Sequence, residues 1–271
     1  MTNLELQMIQ TLQDLKENHH VIGVKAEFEA EGTRMEEALR LKEVVTKAGL
    51  DLAIKVGGCE AIKDMFDART IGVSTLVAPM IESAYALEKY VQAVHFAFPK
   101  EERPFVKFLF NIETITGFRA LEEMFTSPSM QEISGVVFGR TDMTGSLHMS
   151  KDDINHPAIL SYAQQIAALT LKYKKELVIG GGVSAQSLDF FKQLPPGALN
   201  RFETRKVIFD APAALASDRA GEGILKAVGF EVLWIKNKQK FYQNISQEDN
   251  SRLQTLQSRY EKSIRAIGGL C

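Results

Sequence analysis

The sequence has few cysteines, no long apolar run and no strong excess of either charge. Its two cysteines, Cys59 and Cys271, are too few for a disulfide framework, so a reducing compartment is expected. Lysine and arginine (32) nearly balance aspartate and glutamate (34), and a formal charge of −2 offers no basic field for nucleic acid or for a membrane surface. Neither a signal-peptide pattern nor a bilayer-spanning segment is present. These absences predict a cytoplasmic protein without nucleic-acid or membrane partners.

What the sequence does contain is an ordinary globular composition. Hydrophobic residues make up 45% of the chain and charged residues 24%. A chain of 271 residues can bury a substantial core. No linker, low-complexity stretch or block of charge divides it, so we expect a single domain over residues 1–271.

Short apolar segments alternate with amphipathic segments over roughly 200 residues, which is typical of a parallel sheet with helices between its strands. The apolar segments are rich in Val, Ile and Phe and too short for helices, as expected for strands buried on both faces. Seven strands are predicted: Val21–Glu27, Leu52–Val56, Thr75–Met80, Val106–Ile112, Gly135–Phe138, Glu176–Ile179 and Lys206–Phe209. No Gly-x-Gly-x-x-Gly follows an early strand, so a dinucleotide-binding sheet has little support. The pattern favours a (β/α)8 TIM-type barrel, with its eighth strand not identified.

Extra helices are predicted at both termini. Thr2 and Glu5 form a capping-box pattern before an N-terminal helix. At the other end, residues 247–267 carry an apolar stripe at helical spacing, formed by Leu253, Leu256, Tyr260, Ile264 and Ile267. Such a stripe must be buried, either against its own barrel or against a neighbouring subunit.

Polar side chains follow the predicted strands, at the barrel face where enzymes of this fold carry their chemistry. Glu113 and Asp142 follow consecutive strands, so their carboxylates can face one point. Adjacent carboxylates repel each other, and a divalent cation relieves that repulsion. Such a metal can hold a 2-oxo acid and stabilise its enolate. The spacing makes these residues candidate ligands of Mg²⁺ or Mn²⁺, with two solvated carboxylates as the alternative.

Basic residues near the strand ends are candidates for binding a substrate carboxylate. Lys55 and Arg140 each follow or break an apolar strand, although both could be surface charges and Arg140 could pair with Asp142. Lys25 or Lys55 could instead be a Schiff-base nucleophile, which needs a desolvated amine of lowered pKa. Gly180-Gly181-Gly182 suits either an anion cradle or a tight strand-to-helix turn.

The candidate acid–base groups are Glu27 and Glu82, which also follow strands. None of the histidines has metal-ligand spacing. His148, in the loop after Asp142, is either an acid–base group or a solvated loop residue. Cys59 has no paired histidine, so a nucleophilic role is not expected.

Three segments together resemble a known family: Pro79-Met80-Ile81-Glu82-Ser83, Asn111-Ile112-Glu113-Thr114 and Gly139-Arg140-Thr141-Asp142-Met143. In this order they resemble the HpcH/HpaI aldolase and citrate lyase β-subunit family of the phosphoenolpyruvate/pyruvate barrel superfamily, from about residue 21 to about residue 191. The resemblance implies that Glu113 and Asp142 bind the divalent metal. It also implies a homo-oligomer in which the C-terminal helix, residues 247–267, contacts a neighbour.

The chain departs from the family pattern in three places. Lys55 stands where the family has an anion-binding arginine, and a lysine offers a point charge instead of a bidentate fork. The family's Asp-x-Glu-His-type segment, whose histidine is the base, is replaced by Glu27-Phe28-Glu29-Ala30-Glu31-Gly32. A carboxylate or a metal-bound water must then take that role, unless the reaction differs. At the N-terminus, a helix stands where the family has a strand and helix.

The sequence therefore predicts a class II-type aldolase, a metal-dependent carbon–carbon lyase acting on a small 2-oxo acid through an enolate. One alternative is a citrate-lyase- or citrate-synthase-like enzyme acting on an acyl thioester, for whose long arm we find no binding surface. The other is a barrel that has lost catalysis and binds a metabolite, which the missing histidine favours. Metal-dependent turnover of an oxo acid distinguishes these possibilities.

Overall fold

A computed structural model describes residues 1–269 of the chain, in which eight strands close into a barrel in sequence order. The strands are β1 Val21–Glu27, β2 Asp51–Lys55, β3 Thr75–Ala78, β4 Lys107–Ile112, β5 Gly135–Gly139, β6 Glu176–Gly180, β7 Arg201–Glu203 and β8 Val207–Asp210. The predicted barrel is confirmed. Cys271 lies outside the described residues.

Helices surround the strands and also flank them at both ends of the chain. Residues 1–269 contain α1 Asn3–His19, α2 Met35–Lys47, α3 Ile62–Ile71, α4 Ala84–Ala97, α5 Ile115–Arg119, α6 Leu121–Thr126, α7 Arg140–Ser146, α8 Pro157–Tyr173, α9 Ser187–Lys192, α10 Ala211–Ala216 and α11 Ala220–Ala266. Short 3₁₀ helices occupy Arg103–Phe105, Pro128–Glu132 and Lys151–Asn155. The predicted capping box is present, since Thr2 and Glu5 exchange side-chain to backbone hydrogen bonds. None of the helices described is long and apolar enough to cross a membrane.

The strands bury side chains on both of their faces. Val77, Leu109, Val137 and Val178 pack together as a small cluster separate from the main core. The main core lies between the outer faces of the strands and the helices, where Phe110, Phe138 and Phe209 are fully buried. This double burial explains why the strands read as continuous apolar runs.

The eighth strand differs from the predicted parallel arrangement. Strands β1 to β7 pair in parallel, whereas β8 runs antiparallel to both β7 and β1. A hairpin at Thr204-Arg205-Lys206 joins β7 to β8, and the backbone N–H of Thr204 donates to the carbonyl of Val207 at 2.9 Å. The hairpin therefore brings three polar residues to the rim where the parallel strands end.

The last helix, α11, has 47 residues, which at about 1.5 Å per residue is roughly 70 Å long. Its first half packs against the barrel and α1 through buried side chains that include Ile224, Phe230 and Trp234. From residue 243 to residue 263, every side chain is exposed. The helix thus leaves its own barrel, and the apolar stripe in residues 247–267 is not buried against it.

Candidate active site

A cavity of about 740 Å³ opens at the carboxyl ends of the parallel strands. The ends of β1, β2, β4, β5, β6 and β7, the β7–β8 hairpin and one face of α11 form its walls. Four of the six residues predicted to form the site line it, namely Glu27, Lys55, Glu113 and Asp142.

Glu113 is held rigidly just beyond the end of β4. Its Oε1 accepts the backbone N–H of Met80 at 3.0 Å, and its Oε2 accepts a hydrogen bond from the Asn111 amide at 2.7 Å. Met80 adopts a left-handed φ of 52°, which is uncommon for a non-glycine residue. Gly139 on the neighbouring strand provides the space, because a Cβ there would lie 2.8 Å from Glu113 Cβ.

The environment of Glu113 fits a divalent cation. Burial raises the pKa of Glu113 above its ordinary value, and the nearby charge of Asp142 raises it further, against the opposing effects of Lys55 and Asn111. Asp142, in the first turn of α7, is exposed and faces the same cavity. Asn111 Oδ1 is buried with no hydrogen-bond partner in residues 1–269. Two carboxylates and a free amide oxygen are hard donors of the kind Mg²⁺ prefers.

These donors do not form a closed metal site. Among the described residues, no cluster of three or more His, Cys, Asp or Glu side chains is arranged around one point. An open site with two carboxylates leaves coordination positions for water and for substrate oxygens, as Mg²⁺ sites commonly do.

Lys55, at the end of β2, carries a stable positive charge. Its Nζ lies 2.7 Å from Glu29 Oε2 and 3.9 Å from Glu27 Oε1. Burial alone would lower the pKa of Lys55, but Glu27, Glu29 and Glu113 outweigh it and the pKa is raised. A Schiff-base lysine requires the opposite shift. The geometry therefore favours electrostatic binding of an anion over covalent catalysis at Lys55.

Glu27, at the end of β1, is a buried carboxylate with one unused oxygen. Lys25 Nζ lies 3.2 Å from Glu27 Oε1 and 2.5 Å from Glu203 Oε1. Glu27 Oε2 has no hydrogen-bond partner among residues 1–269. Burial raises the pKa of Glu27, but Lys25, Lys55 and Arg205 outweigh burial and keep the pKa below its ordinary value. The cavity wall thus presents an ionised carboxylate that can accept a proton.

Lys25 is as firmly charged as Lys55. Burial opposes its charge, but Glu203 and Glu27 raise the pKa of Lys25 well above its usual range. The alternative of a nucleophilic Lys25 therefore has no support from its surroundings, because its amine would stay protonated.

Sequence analysis missed Glu203, Lys206 and Glu31 as parts of this site. Glu203 is the last residue of β7, a strand of three residues that gives no recognisable apolar run. Lys206 is buried, forms an ion pair with Glu31 and lies 5.8 Å from the ring centre of Trp234. The sequence contains one indication of these residues, the acidic segment after β1 that includes Glu31.

Arg140 does not take its predicted place. Its guanidinium is fully buried and does not line the cavity. It donates to the carbonyls of Gly180 (3.1 Å) and Gly181 (2.9 Å) and to Asn155 Oδ1 (2.6 Å). Burial lowers the pKa of Arg140 to about 10. The structure thus places the Arg140 side chain at the turn after β6, which it holds, and neither at the cavity nor in an ion pair with Asp142 among residues 1–269.

Glu82 is also placed outside the cavity walls. Its carboxylate accepts a hydrogen bond from the hydroxyl of Thr114, which in turn caps α5. The structure thus places Glu82 away from the cavity, where it holds Thr114 at the start of α5. His148 is exposed and lies outside the cavity walls as well.

The glycines after β6 form a tight turn. Gly181 has a φ of 79°, and a Cβ there would lie 2.6 Å from the backbone nitrogen of Thr141. Gly182 has a φ of 62°. Both glycines line the cavity. The turn interpretation is sufficient to explain these residues.

A sequence model of the HpcH/HpaI aldolase/citrate lyase family matches residues 29–181, more than half of the chain. The chain belongs to this family. The resemblance seen in the three sequence segments is thereby confirmed. Membership in a family of aldolases and lyases supports an enzyme with a lyase-type function. A search of curated proteins found no significant match.

Several solved structures share the fold. An HpcH/HpaI aldolase from Desulfitobacterium hafniense DCB-2 is 12% identical, with a TM-score of 0.58 over 73% of this chain and 81% of that one. A family member from Burkholderia cenocepacia J2315 is 15% identical, with a TM-score of 0.52 over 68% and 89% of the two chains. The citrate synthase SbnG is 13% identical, with a TM-score of 0.58 over 86% and 90%. At these identities the likeness establishes the fold alone.

Proposed function

We propose that the protein is an aldolase-type carbon–carbon lyase that depends on Mg²⁺ or Mn²⁺ and acts on a small 2-oxo acid. The observation that carries the proposal is the pairing of Glu113 and Asp142 at one cavity, with the charged Lys55 beside them. This arrangement combines a place for a hard cation with a place for a carboxylate.

Glu113 and Asp142 would hold the metal. Glu113 is immobilised by Met80 and Asn111, so its carboxylate needs little reorganisation on binding. When bound, the cation polarises the carbonyl oxygen of the oxo acid and stabilises the enolate charge that develops there. Lys55 neutralises the carboxylate of the substrate, for which its raised pKa guarantees a full positive charge.

Glu27 is the proposed base in place of the missing histidine. Its Oε2 accepts no hydrogen bond and lies 3.7 Å from a guanidinium nitrogen of Arg205. The carboxylate borders the cavity and is ionised at neutral pH. In the cleavage direction it accepts the proton of the hydroxyl group next to the breaking carbon–carbon bond. It then delivers that proton to the enolate carbon, which gives the released oxo acid. In the condensation direction it removes a proton from the methyl carbon of the oxo acid and passes it to the oxygen of the aldehyde. Lys25 holds Glu27 from the other side through Oε1.

Glu27 also bears on the alternative of an inactive barrel. That alternative rested on the absent histidine, and an ionised, buried carboxylate with a free oxygen can do the same work. We therefore prefer an enzyme, which on its low cysteine content we expect in a reducing compartment such as the cytoplasm. The thioester alternative is supported by no contact of the described residues.

Metal-dependent release of pyruvate from a 4-hydroxy-2-oxo acid tests the proposal. Glu113→Gln and Asp142→Asn should each abolish turnover and weaken Mn²⁺ binding measured by electron paramagnetic resonance, while the circular dichroism spectrum is unchanged. Glu88→Gln, on the exposed surface of α4, is the matched control and should behave like wild type. Near wild-type turnover and metal affinity in either site variant would refute the ligand assignment.

A further inference from the structure

The cavity is larger than a small oxo acid needs. Its volume of about 740 Å³ lies in the upper part of the range for small-molecule sites, which is roughly 300–1,000 Å³. The space not used by Glu113, Asp142 and Lys55 lies toward the β7–β8 hairpin and α11. We call this space the outer pocket and define it by Glu31, Thr204, Arg205, Glu231 and Ile235.

The positive charges around the cavity are already paired. Five basic side chains line it, and each forms an ion pair with a carboxylate: Lys25, Lys55, Arg205, Lys206 and Lys238. Seven carboxylates line the same cavity, so the formal balance is five minus seven, or −2. A bound divalent cation brings this balance to zero. The carboxylate of the oxo acid then returns it to −1.

The outer pocket has no excess of positive charge, because Arg205 and Lys206 are balanced by the carboxylates of Glu31 and Glu231. Arg205 and Lys206 share the carboxylate of Glu31. Glu231 lines the pocket and has no ion pair within residues 1–269. A second anionic group would therefore find no net positive charge in the outer pocket, whereas the carboxylate of the oxo acid has both Lys55 and the bound cation beside it. It would also change the charge balance of the cavity from −1 to −2, which opposes binding.

The walls of the outer pocket nevertheless offer many hydrogen-bonding groups. The guanidinium of Arg205, half exposed at 48%, can donate, and the carboxylates of Glu31 and Glu231 can accept. Thr204 adds a hydroxyl group. An apolar ligand would remove water from these groups without replacing the lost hydrogen bonds. Hydroxyl groups, which both donate and accept, satisfy them.

We infer that the second substrate, the aldehyde released on cleavage or consumed in condensation, is uncharged and carries hydroxyl groups. This inference rests on the proposed aldolase function. It assigns the outer pocket to the aldehyde, and it assigns the metal ligands and Lys55 to the oxo acid.

Condensation of pyruvate with a panel of aldehydes tests the inference. With Mg²⁺ present, we expect kcat/KM for glyceraldehyde to exceed that for succinic semialdehyde, glyceraldehyde 3-phosphate and propanal by about tenfold or more. A preference for a carboxylated or phosphorylated aldehyde, or equal use of propanal, would overturn it.

Exchange of the pyruvate methyl protons with deuterated water separates this inference from the proposed function. The exchange needs the base and the metal but no aldehyde, and nuclear magnetic resonance measures it directly. Exchange together with the opposite aldehyde preference would overturn the inference alone. Absence of metal-dependent exchange would overturn both.

A charge reversal in the outer pocket provides the second test. Glu231→Lys should raise the ratio of kcat/KM for succinic semialdehyde to that for glyceraldehyde by about tenfold. Glu88→Lys makes the same change on the exposed surface of α4 and should leave the ratio unchanged. Equal ratios in the two variants would show that the aldehyde does not bind in the outer pocket.

Discussion

At the scale of single residues, the charge of Glu27 depends on its neighbours more than on its burial. Burial raises its pKa, whereas Lys25, Lys55 and Arg205 together lower it below the ordinary value. A base with a lowered pKa stays ionised as the pH falls from neutral, and its activity is lost only when the pH passes through that pKa. Glu203 has the opposite effect on the pKa of Glu27, because its carboxylate competes for Lys25, whose Nζ lies 2.5 Å from Glu203 Oε1.

Substitutions of Lys25 and of Glu203 should therefore shift the acidic limb of the pH–rate profile in opposite directions. Lys25→Met removes a cation, so the pKa of Glu27 rises and the limb moves to higher pH. Glu203→Gln removes a competing carboxylate, so the limb moves to lower pH. The measurement is kcat/KM for cleavage as a function of pH, with Lys47→Met on the exposed end of α2 as control. Shifts in the same direction would contradict the proposed role of Glu27.

Arg140 should matter for stability rather than for substrate binding. Arg140→Met leaves the buried carbonyls of Gly180 and Gly181 without their donors, which should cost about 2–5 kcal/mol of unfolding free energy. Chemical denaturation measures this loss. Arg119→Met, at an exposed position, should change stability by less than about 0.5 kcal/mol. A stable Arg140→Met variant with a raised KM for the oxo acid would instead support the prediction that Arg140 binds the substrate carboxylate.

At the scale of elements, the sequence pattern was sufficient for seven strands. Their predicted bounds agree with the structure to within two residues, because burial on both faces imposes a continuous apolar run. Strand β7 was not predicted because only one of its three residues, Arg201-Phe202-Glu203, has an apolar side chain. The antiparallel direction of β8 was not predicted for another reason. An antiparallel strand buried on both faces has the same pattern as a parallel one.

The same logic explains which site residues were predictable. Glu27, Lys55, Glu113 and Asp142 follow parallel strands, whose carboxyl ends meet at one face of the barrel. A position after a strand does not fix where a long side chain points. Arg140 therefore satisfied the pattern although its side chain turns into the protein and away from the cavity.

The glycine at the junction of β5 and α7 should control the proposed metal site. At Gly139 the backbone, with φ −88° and ψ 95°, is open to any residue, but a Cβ would lie 2.8 Å from Glu113 Oε2. Gly139→Ala should displace that carboxylate and lower metal affinity by about 10–100-fold without unfolding the protein. Gly145→Ala in the same helix meets nothing within 4 Å and serves as the control. Titration with Mn²⁺ measures the affinities, and unchanged affinity in Gly139→Ala would contradict this steric account.

At the scale of the whole molecule, α11 exposes apolar side chains in both of its halves. Near the barrel these include Leu225 (72% exposed) and Val232 (45%), and farther along they include Leu253 (61%) and Tyr260 (58%). At about 100° per residue, the second set lies roughly 80° around the helix from the first, so the exposed apolar side chains form one stripe that turns slowly along the helix. An uncovered apolar stripe of this length is unfavourable in water and marks an interaction surface.

We propose that a second copy of α11 covers this stripe, which makes the predicted homo-oligomer a dimer. If two copies lie antiparallel about Ser246, Leu225 of each copy faces position 267 of the other, and Val232 faces position 260. The far half of one helix then covers the near half of the other, and the contact closes with twofold symmetry. The near half borders the cavity through Ile235, so the partner helix would lie next to the outer pocket.

Truncation before Gln247 should therefore separate the copies without unfolding the barrel. The side chains of residues 247–263 are all exposed in one copy, so their removal costs the barrel few contacts. Leu256→Glu should also dissociate the dimer, because it introduces a charge into the stripe, whereas Ser258→Glu on the opposite face of the helix should not. Light scattering at micromolar concentration measures the mass, and thermal denaturation shows whether the barrel stays folded. A monomeric wild type, or a truncated protein of unchanged mass, would contradict the proposed dimer, since either result means that the stripe is not what holds two copies together.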